Sequence, residues 1–392
     1  MKIKKVLFNY PKCYNNIDYL IQSHGGVLRL IGGCVRDFLL FNKISDFDLA
    51  TNLPPNKIIQ IFSSSVFQVV TLNLEHGTIL LVYKTYSFEI TTIREDMQCF
   101  GRYALVKFTN SWQQDALRRD FTINALSINL LCHLYDYTEG LFDIKIKRIK
   151  FIGNPKARIF EDKLRILRYF RFLSFFGNKN LHFKSLSACI RYFSLLKDIS
   201  SERKKNELFK LLAGYYVFQV VQIFIRNNLF QYIGFMTSIN KNFILSNLFF
   251  FFGDSIINIS ILLLLFFFFE KKISLIKTIF KLSNQEYKIL QIFTNFQAII
   301  HNDYQHYQYI HVVGIEIYKK FLFVRNNFFN IICYKNLAKE HLYNNFPIDG
   351  RKLQNSHIYG VKIGVVFNLL KKYWYNNKNM LTQQELMQLV KI

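Results

Sequence analysis

Acid is what this chain has too little of. Across 392 residues, 26 Asp and Glu stand against 51 Lys and Arg, a formal net charge of +25. A field of that sign draws polyanions, of which nucleic acids and anionic membrane surfaces are the commonest. Cysteine is sparse and scattered: Cys13, Cys34, Cys99, Cys132, Cys189 and Cys333 form no Cys-x-x-Cys pair. That spacing predicts free thiols in a reducing, cytoplasmic compartment, with no disulfide and no structural zinc. Long apolar runs are missing too. The longest, Ile261 to Phe269 within the Phe-rich stretch 243–269, is bracketed by Asp254 and Glu270. It falls short of the roughly 20 residues a membrane-spanning helix needs, so a buried helix and no stable membrane insertion are expected. The opening "MKIKKVLFNYPKCYNNIDYL" is broken by Asn, Pro and Asp before any apolar core forms, and predicts no secretory signal. Internal repeats at solenoid periods are also lacking.

What is present is enough apolar side chain, 51% of residues, for a substantial core. The excess of Phe (42) and Tyr (23) has the look of an AU-rich coding bias laid over an ordinary fold. From about 26 to 150 the pattern is strand-like, in "VLRLIG", "DFDLAT", "GTILLVY", "SFEITTI" and "ALVKF". Beyond about 155 Gly and Pro become rare and the period turns helical, as in "FEDKLRILRYFRFLSFF". The reading is an α+β head followed by a helical body. Turn chemistry at Gly153, Asn154 and Pro155 marks the boundary, and "NNFPIDGRK" marks a second break before a helical tail.

Two of the scarce acids stand one residue apart in "SDFDLATN". Alternation along a strand aims Asp46 and Asp48 to one side. Two carboxylates aimed at one point repel, and a divalent metal is the usual remedy. "TILLVYKTYSFEITTIR" reads as a hairpin turning near Lys84 and Thr85, whose second strand offers Glu89 on the same face as Ser87 and Thr91. Glu89 is thus a candidate third carboxylate. Just upstream, "LIGGCVRD" ends a strand in Gly32-Gly33 and opens a helix with Arg36 on its first turn. Bare amides at a helix start, with a guanidinium nearby, suit phosphate oxygens. A glycine turn followed by an Asp-x-Asp strand is the logic of nucleotidyl transfer.

These segments, together with "HGTILLVYKTYSFEITTIREDMQCFGRYALVKFT", "QQDALRRDFTINAL", "IGNPKARIFEDKLRILRYFRF" and "ISSERKKNELFKLL", resemble the successive motifs of the class II tRNA nucleotidyltransferases. These are the CCA-adding enzymes, close to bacterial poly(A) polymerases within the DNA polymerase beta superfamily. The resemblance runs from about 26 to 213, with a weaker echo at "FPIDGRKL". It implies that Asp46 and Asp48 bind two magnesium ions with Glu89 assisting, and that Gly32, Gly33 and Arg36 meet the incoming nucleotide. Arg119 would touch the nucleotide as well, with Asp115, Arg118 and Asp120 near its sugar and phosphates. Asp96, Gly101 and Arg102 match a flexible loop used when specificity changes between nucleotides. Phe41 departs from the family's turn glycine, "VTLNLEHG" from its usual strand entry, and Lys163 from a small or Pro-like position. No adjacent His-Asp pair is present, so no appended metal-dependent phosphohydrolase of that type is expected.

On a helix, Asp162, Arg165, Arg168 and Arg171 recur every third residue and form one winding ridge. The resemblance assigns Asp162 and Arg165 to base recognition, and hydrogen-bond chemistry agrees. Cytosine and adenine each present an amino donor beside a ring-nitrogen acceptor; guanine and uracil present a carbonyl beside an N–H. A carboxylate next to a guanidinium matches the first pair and leaves unsatisfied groups against the second, at about 1–3 kcal/mol each. Arg168 and Arg171 would hold phosphates or ordered neighbours, while Glu202 and Arg203 read as braces of the neck.

The resemblance therefore implies a nucleotidyltransferase head (1–150) with a small mixed sheet and flanking helices, then an all-helical neck (151–215), body (216–343) and tail (344–392). Its expected reaction adds C and A to the 3′ end of tRNA from CTP and ATP. A poly(A) polymerase, a C-only or A-only enzyme, and a noncatalytic RNA-binding relative are the alternatives.

Overall fold

The computed structural model describes residues 11–41, 46–100, 103–233, 273–288, 290–291, 346–354, 361–377 and 381–389. The chain divides into two compact units, Met1–Phe249 and Phe250–Ile392.

A seven-stranded mixed sheet organises the first unit, in the order β3-β4-β5-β2-β1-β8-β9. β1 (Leu28–Ile31) and β2 (Phe47–Thr51) sit near its centre. β2 runs antiparallel to β1 and parallel to β5 (Tyr86–Thr92), which places Asp48 directly opposite Glu89. Beyond β5 come β4 (Thr78–Tyr83) and β3 (Gln68–Asn73); on the other edge lie the short β8 (Ser127–Ile128) and β9 (Leu134–Tyr135). Along β5 the side chains alternate, Phe88 and Ile90 fully buried and Ser87 and Glu89 exposed. The expected hairpin is present: Tyr83 pairs with Tyr86, and Lys84 takes a left-handed φ of 53° in the turn. β6 (Arg94–Phe100) and β7 (Tyr103–Phe108) form a separate two-stranded ribbon.

The apolar side of the sheet is covered by α1 (Cys13–Ser23) and α3 (Pro55–Ser63), whose Ile17, Ile21, Ile58 and Phe62 have no exposed surface. α2 (Gly33–Phe41) continues directly from β1. Arg29 is a buried cation on β1 held between two rings, 4.0 Å from the Trp112 centroid and 3.5 Å from that of Tyr135. Ring faces here do the work a carboxylate would otherwise do.

After the sheet, every described element is a helix or helical turn. α4 (Trp112–Leu117) and α5 (Gly140–Lys145) belong to the sheet region, and α6 (Pro155–Glu161) to α10 (Val217–Arg226) follow it. α7 (Arg165–Phe176) is the central one, packed against α9 (Ser201–Leu212) and α10. The abundant phenylalanine becomes core at this point. Phe121 meets Phe151 at 4.7 Å, Tyr169 stacks on Phe151 at 6.0 Å, and Phe170 meets Phe224 edge-on at 4.9 Å. Such pairs add about 0.5–1.5 kcal/mol each beyond burial, and the second ties α7 to the isolated Phe121–Phe151 bridge.

One expectation needs correcting. "FEDKLRILRYFRFLSFF" is two helices, because Asp162 is extended (φ −146°, ψ 107°) between α6 and α7. Its Oδ1 accepts the backbone N–H of Leu164 at 3.1 Å. A short Asp side chain that bonds backbone two residues on competes with the helix and ends it. Asp162 therefore does not ride one ridge with Arg165, Arg168 and Arg171.

In the second unit, helix Ile273–Phe280 buries Ile276 and Phe280, and helix Val361–Asn376 buries Leu370, Trp374 and Tyr375. Helix Gln383–Gln388 opens on a capping box between Thr382 and Glu385. No helix among the described residues is long and apolar enough to cross a membrane. The run Ile261–Phe269, Gly101, Arg102, Cys333 and most of the stretch 216–343 lie outside the described residues. Cys13, Cys34 and Cys189 are buried free thiols.

Candidate active site

The site begins where β1 ends. Gly32 has φ +68°, a left-handed conformation natural to glycine, and a Cβ there would come within 2.9 Å of Arg119 Nη1. The turn frees the start of α2, where Gly33 lies close to both Arg36 and Asp48: a Cβ on it would be 3.7 Å from Arg36 Nη2 and 3.9 Å from Asp48 Oδ2. Cys34 supports the arrangement from beneath, its thiol donating to the Ile31 carbonyl at 3.0 Å and reaching the Asp48 carbonyl at 3.5 Å. Burial pushes that thiol up to about 12, so it acts as a protonated packing group.

On β2, the Asp48 carboxyl is pushed up to about 6, first by burial, then by Glu89 and Asp46, with Arg119 and Arg36 offsetting only part of the rise. Asp46 precedes the strand and is exposed. A hollow of about 270 Å³ opens here, lined by Asp48 and Glu89 on one side and by Arg94, Arg118 and Arg119 on another. Among the described residues no three His, Cys, Asp or Glu side chains form a closed metal cage. Magnesium asks for less, since one or two carboxylates commonly hold it while water and substrate phosphates complete the shell. Asp48, with surplus negative charge beside it, fits such an ion.

Facing these acids is an arginine layer. Asp115 accepts from Arg118 Nη2 at 2.7 Å and from Arg119 Nη2 at 3.0 Å. Burial alone would raise its carboxyl, yet the two guanidiniums hold it at about 2. Asp120 is likewise buried and likewise held at about 2, by Arg168 and by the Asn124 amide. Its Oδ2 takes Arg168 Nε at 2.7 Å; its Oδ1 takes Asn124 Nδ2 at 2.9 Å and the Phe121 N–H at 2.8 Å. Arg36 donates Nη1 to Asn124 Oδ1 at 2.6 Å. Asn124 thus links the glycine turn to α7.

These groups open onto one cleft of about 540 Å³. Gly32, Gly33, Arg36, Asp48, Asp96, Arg118, Arg119, Asp120, Asn124, Asp162, Leu164, Arg165, Arg168, Arg171 and Arg203 line it. Seven arginines face four aspartates there, which favours a polyphosphate over a cation as the main occupant. Arg165 is held by Glu161 and by the Arg158 carbonyl at 3.1 Å. Arg171 is paired with Glu207 at 3.2 Å, and burial lowers its guanidinium to about 10.

Of the residues singled out from sequence, the cleft brings together Gly32, Gly33, Arg36, Arg118, Arg119, Asp120, Asp162, Arg165, Arg168 and Arg171 with Asp48; Glu89 borders the adjoining hollow, and Asp46 and Asp115 line neither. Three arginine or amide side chains of the lining were not singled out as site residues. Arg203, read as a brace, lines the cleft and reaches both Asp162 carboxylate oxygens at 3.4 Å. Asn124 was passed over although a polar Asn inside the apolar "FTINAL" was a visible signal. Arg94 left no signal: it lines the hollow because β5 and β6 meet there.

Residues 28–150 match the family model described as the poly A polymerase head domain. Human mitochondrial CCA tRNA nucleotidyltransferase 1 is 40% identical over 239 residues, covering 60% of this chain and 55% of the relative. The CCA-adding enzyme of Bacillus pumilus is 36% identical over 217 residues, covering 55% of this chain and 53% of that enzyme. The chain thus spans about half the length of the curated relatives it matches. Among solved structures, the Bacillus stearothermophilus CCA-adding enzyme in complex with CTP superposes with a TM-score of 0.67 at 22% identity, covering 94% of each chain. The Thermotoga maritima CCA-adding enzyme complexed with tRNA gives 0.57 at 17%, covering all of this chain and 98% of the other. At those identities the likeness is one of fold. Residues 28–150 thus resemble the poly A polymerase head domain, and a longer stretch resembles about half of each CCA-adding relative.

Proposed function

We propose that the protein adds cytidine and adenosine to the 3′ end of tRNA from CTP and ATP, releasing pyrophosphate. The observation that carries this reading is that a single cleft is lined by the Gly32–Gly33 turn and Asp48 as well as by Asp162, Arg165 and Arg203. Phosphates would lie on the bare amides of the turn and on Arg36, Arg118 and Arg119, with Arg168 and Arg171 fixing the arginine layer. The base would be read by Asp162 as acceptor and Arg165 as donor, a pair that suits cytosine and adenine and leaves guanine and uracil unsatisfied. Asp46 and Asp48, with Glu89 beside them, would hold magnesium, two ions in the full complex. Bound there, magnesium neutralises the phosphates and lowers the pKa of the attacking 3′ hydroxyl.

The division into head (1–150), neck (151–215), body (216–343) and tail (344–392) goes with this proposal, as does tRNA acceptor binding on the basic surface. So does a cytoplasmic location, which cell fractionation tests against the mitochondrial one in the name of the human relative. The deciding experiment offers each nucleoside triphosphate separately to tRNA lacking its terminal bases. Uptake of CTP, then ATP, ending when the CCA terminus is complete is the expected result. Indifference to CTP with open-ended ATP incorporation would instead make it a poly(A) polymerase, the name its head-domain match carries.

A further inference from the structure

Between the glycine turn and α7 stands an uncharged side chain. Asn124 ends the helical turn Thr122–Asn124 and is 6% exposed. Its Oδ1 accepts Arg36 Nη1 at 2.6 Å, its Nδ2 donates to Asp120 Oδ1 at 2.9 Å, and its backbone carbonyl accepts Arg119 Nη1 at 3.4 Å. The two charged groups that its amide meets already have partners of opposite sign. Asp37 Oδ1 takes Arg36 Nε at 2.8 Å and Nη2 at 2.7 Å, while Asp120 Oδ2 takes Arg168 Nε at 2.7 Å. Asn124 therefore joins two balanced ion pairs, one on α2 and one that ends on α7.

Polarity narrows what the joining group has to be. Arg36 only donates, and Asp120, held at about 2, only accepts. The link must accept at one end, donate at the other and carry no charge; an amide does this, whereas a carboxylate, an ammonium or a hydrocarbon does not. Turning the amide over would set donor against donor and acceptor against acceptor, so one orientation is fixed. A second hold on α7 is apolar, since Phe172 meets Phe121 edge-on at 5.5 Å. Apolar contact is non-directional and tolerates a small slide, but a hydrogen bond weakens steeply when it is bent. The amide chain, more than the rings, sets where α7 stands against the phosphate side of the cleft.

We infer that Asn124 is a positioning residue for base choice, acting through Arg36 on one side and through Asp120 and Arg168 on the other. The inference rests on the proposed reading of the base by Asp162 and Arg165. A mismatched base is refused only while donor and acceptor stay in place. With α7 free to shift, Arg165 can move to a uracil carbonyl and Asp162 can meet the N–H beside it. Refusal then weakens.

The test compares kcat/KM for CTP with that for UTP in single-nucleotide incorporation by the full-length protein. Asn124→Ala should narrow the preference for CTP about tenfold, the size expected when one buried polar group is left unpaired, while kcat at saturating CTP falls less. Asn124→Asp keeps the side chain's size but aims a second carboxylate at Asp120, and should narrow the preference at least as much. Asn124→Asp/Asp120→Asn puts one amide and one carboxylate back between the two arginines and should recover part of it; recovery is incomplete because the Phe121 N–H loses its acceptor. A merely structural role makes the second substitution add to the damage of the first. Wild-type preference in Asn124→Ala, or a double variant no better than Asn124→Asp, overturns the inference, and the second comparison holds even where Asn124→Ala does not fold. Either result leaves the proposed reaction standing. A wild type that takes CTP and UTP alike overturns the base reading and this inference together. A wild type that transfers nothing overturns the reaction alone, and equilibrium binding of CTP against UTP then reads the same variants.

Discussion

Aspartates on two sides of one cleft are held in opposite ways. Asp48, on the sheet side, is pushed up to about 6, while Asp115 and Asp120, on the arginine side, are held at about 2. Burial works in the same direction on all three, so it cannot be the cause of the difference. The neighbours are. Asp48 looks at Glu89 and Asp46 and is only partly compensated by more distant arginines, whereas Asp115 and Asp120 are each gripped by guanidinium at 2.7 Å. An acid already paired with a cation is architecture, and an acid facing other acids is where the proposed magnesium would find its socket.

The harshest way to break this contrast is to empty the socket. Asp48→Ala and Asp46→Ala should each lower nucleotide transfer on the order of a thousandfold or more, because metal stabilisation of phosphate charge is worth several kcal/mol. Binding of tRNA, measured by filter retention, should be nearly unaffected. Unchanged turnover in either variant would remove the basis for the metal assignment.

Stability measurements sharpen the contrast by sign. Asp120→Asn keeps the side chain's shape but leaves Arg168 without its counter-charge, and should cost about 3 kcal/mol, the low end for a buried pair, since Arg168 keeps 32% of its side-chain surface in solvent. Asp48→Asn at pH 8 in chelator should do the reverse and raise the urea midpoint. The sign follows from linkage. A carboxyl raised from 3.8 to about 6 in the fold contributes stability below 3.8 that is lost as pH rises through 6. One lowered to about 2 contributes stability above 3.8 that is lost as pH falls. Two Asp→Asn changes that shift the midpoint in the same direction would show that the two corners are not opposites.

Next in size is base choice. Asp162→Ala should reduce the preference for CTP and ATP over UTP and GTP by about 1–3 kcal/mol, one unsatisfied group's worth, with a far smaller effect on turnover at saturating CTP. Arg203→Ala should act in the same direction, because that guanidinium reaches both oxygens of Asp162. Single-nucleotide incorporation with each triphosphate reads both.

How much of this was legible beforehand follows from how local each signal was. The glycine turn, the Asp48 strand and the Glu89 hairpin are written in short patterns, and the sheet forms them as read. Registers between distant segments are not written locally, so the parallel pairing that sets Asp48 opposite Glu89 could only be surmised, and strands β3, β6, β8 and β9 went unread. The break at Asp162 failed for another reason. Periodicity continues unbroken across it, and a side-chain bond to Leu164 N–H overrides the pattern. Arg203 reads from sequence only as a brace, and its contact with Asp162 was not legible because the two lie 41 residues apart in the chain.

The mildest test changes no residue. If Asp48 must shed a proton with an apparent pKa near 6 before it can ligate, then lowering pH makes protons compete with magnesium for the same oxygens. Apparent magnesium affinity should hold steady from pH 8 to about 7 and then fall, reaching about tenfold per pH unit once Asp48 is mostly protonated. Asp115 and Asp120 stay ionised throughout that window, since both are held at about 2. The arginine layer therefore remains assembled while the socket closes, and nucleotide binding measured without metal should change little over the same range. Parallel loss of metal-free nucleotide binding would mean that the two corners titrate as one unit, and the contrast between socket and scaffold would have to be abandoned.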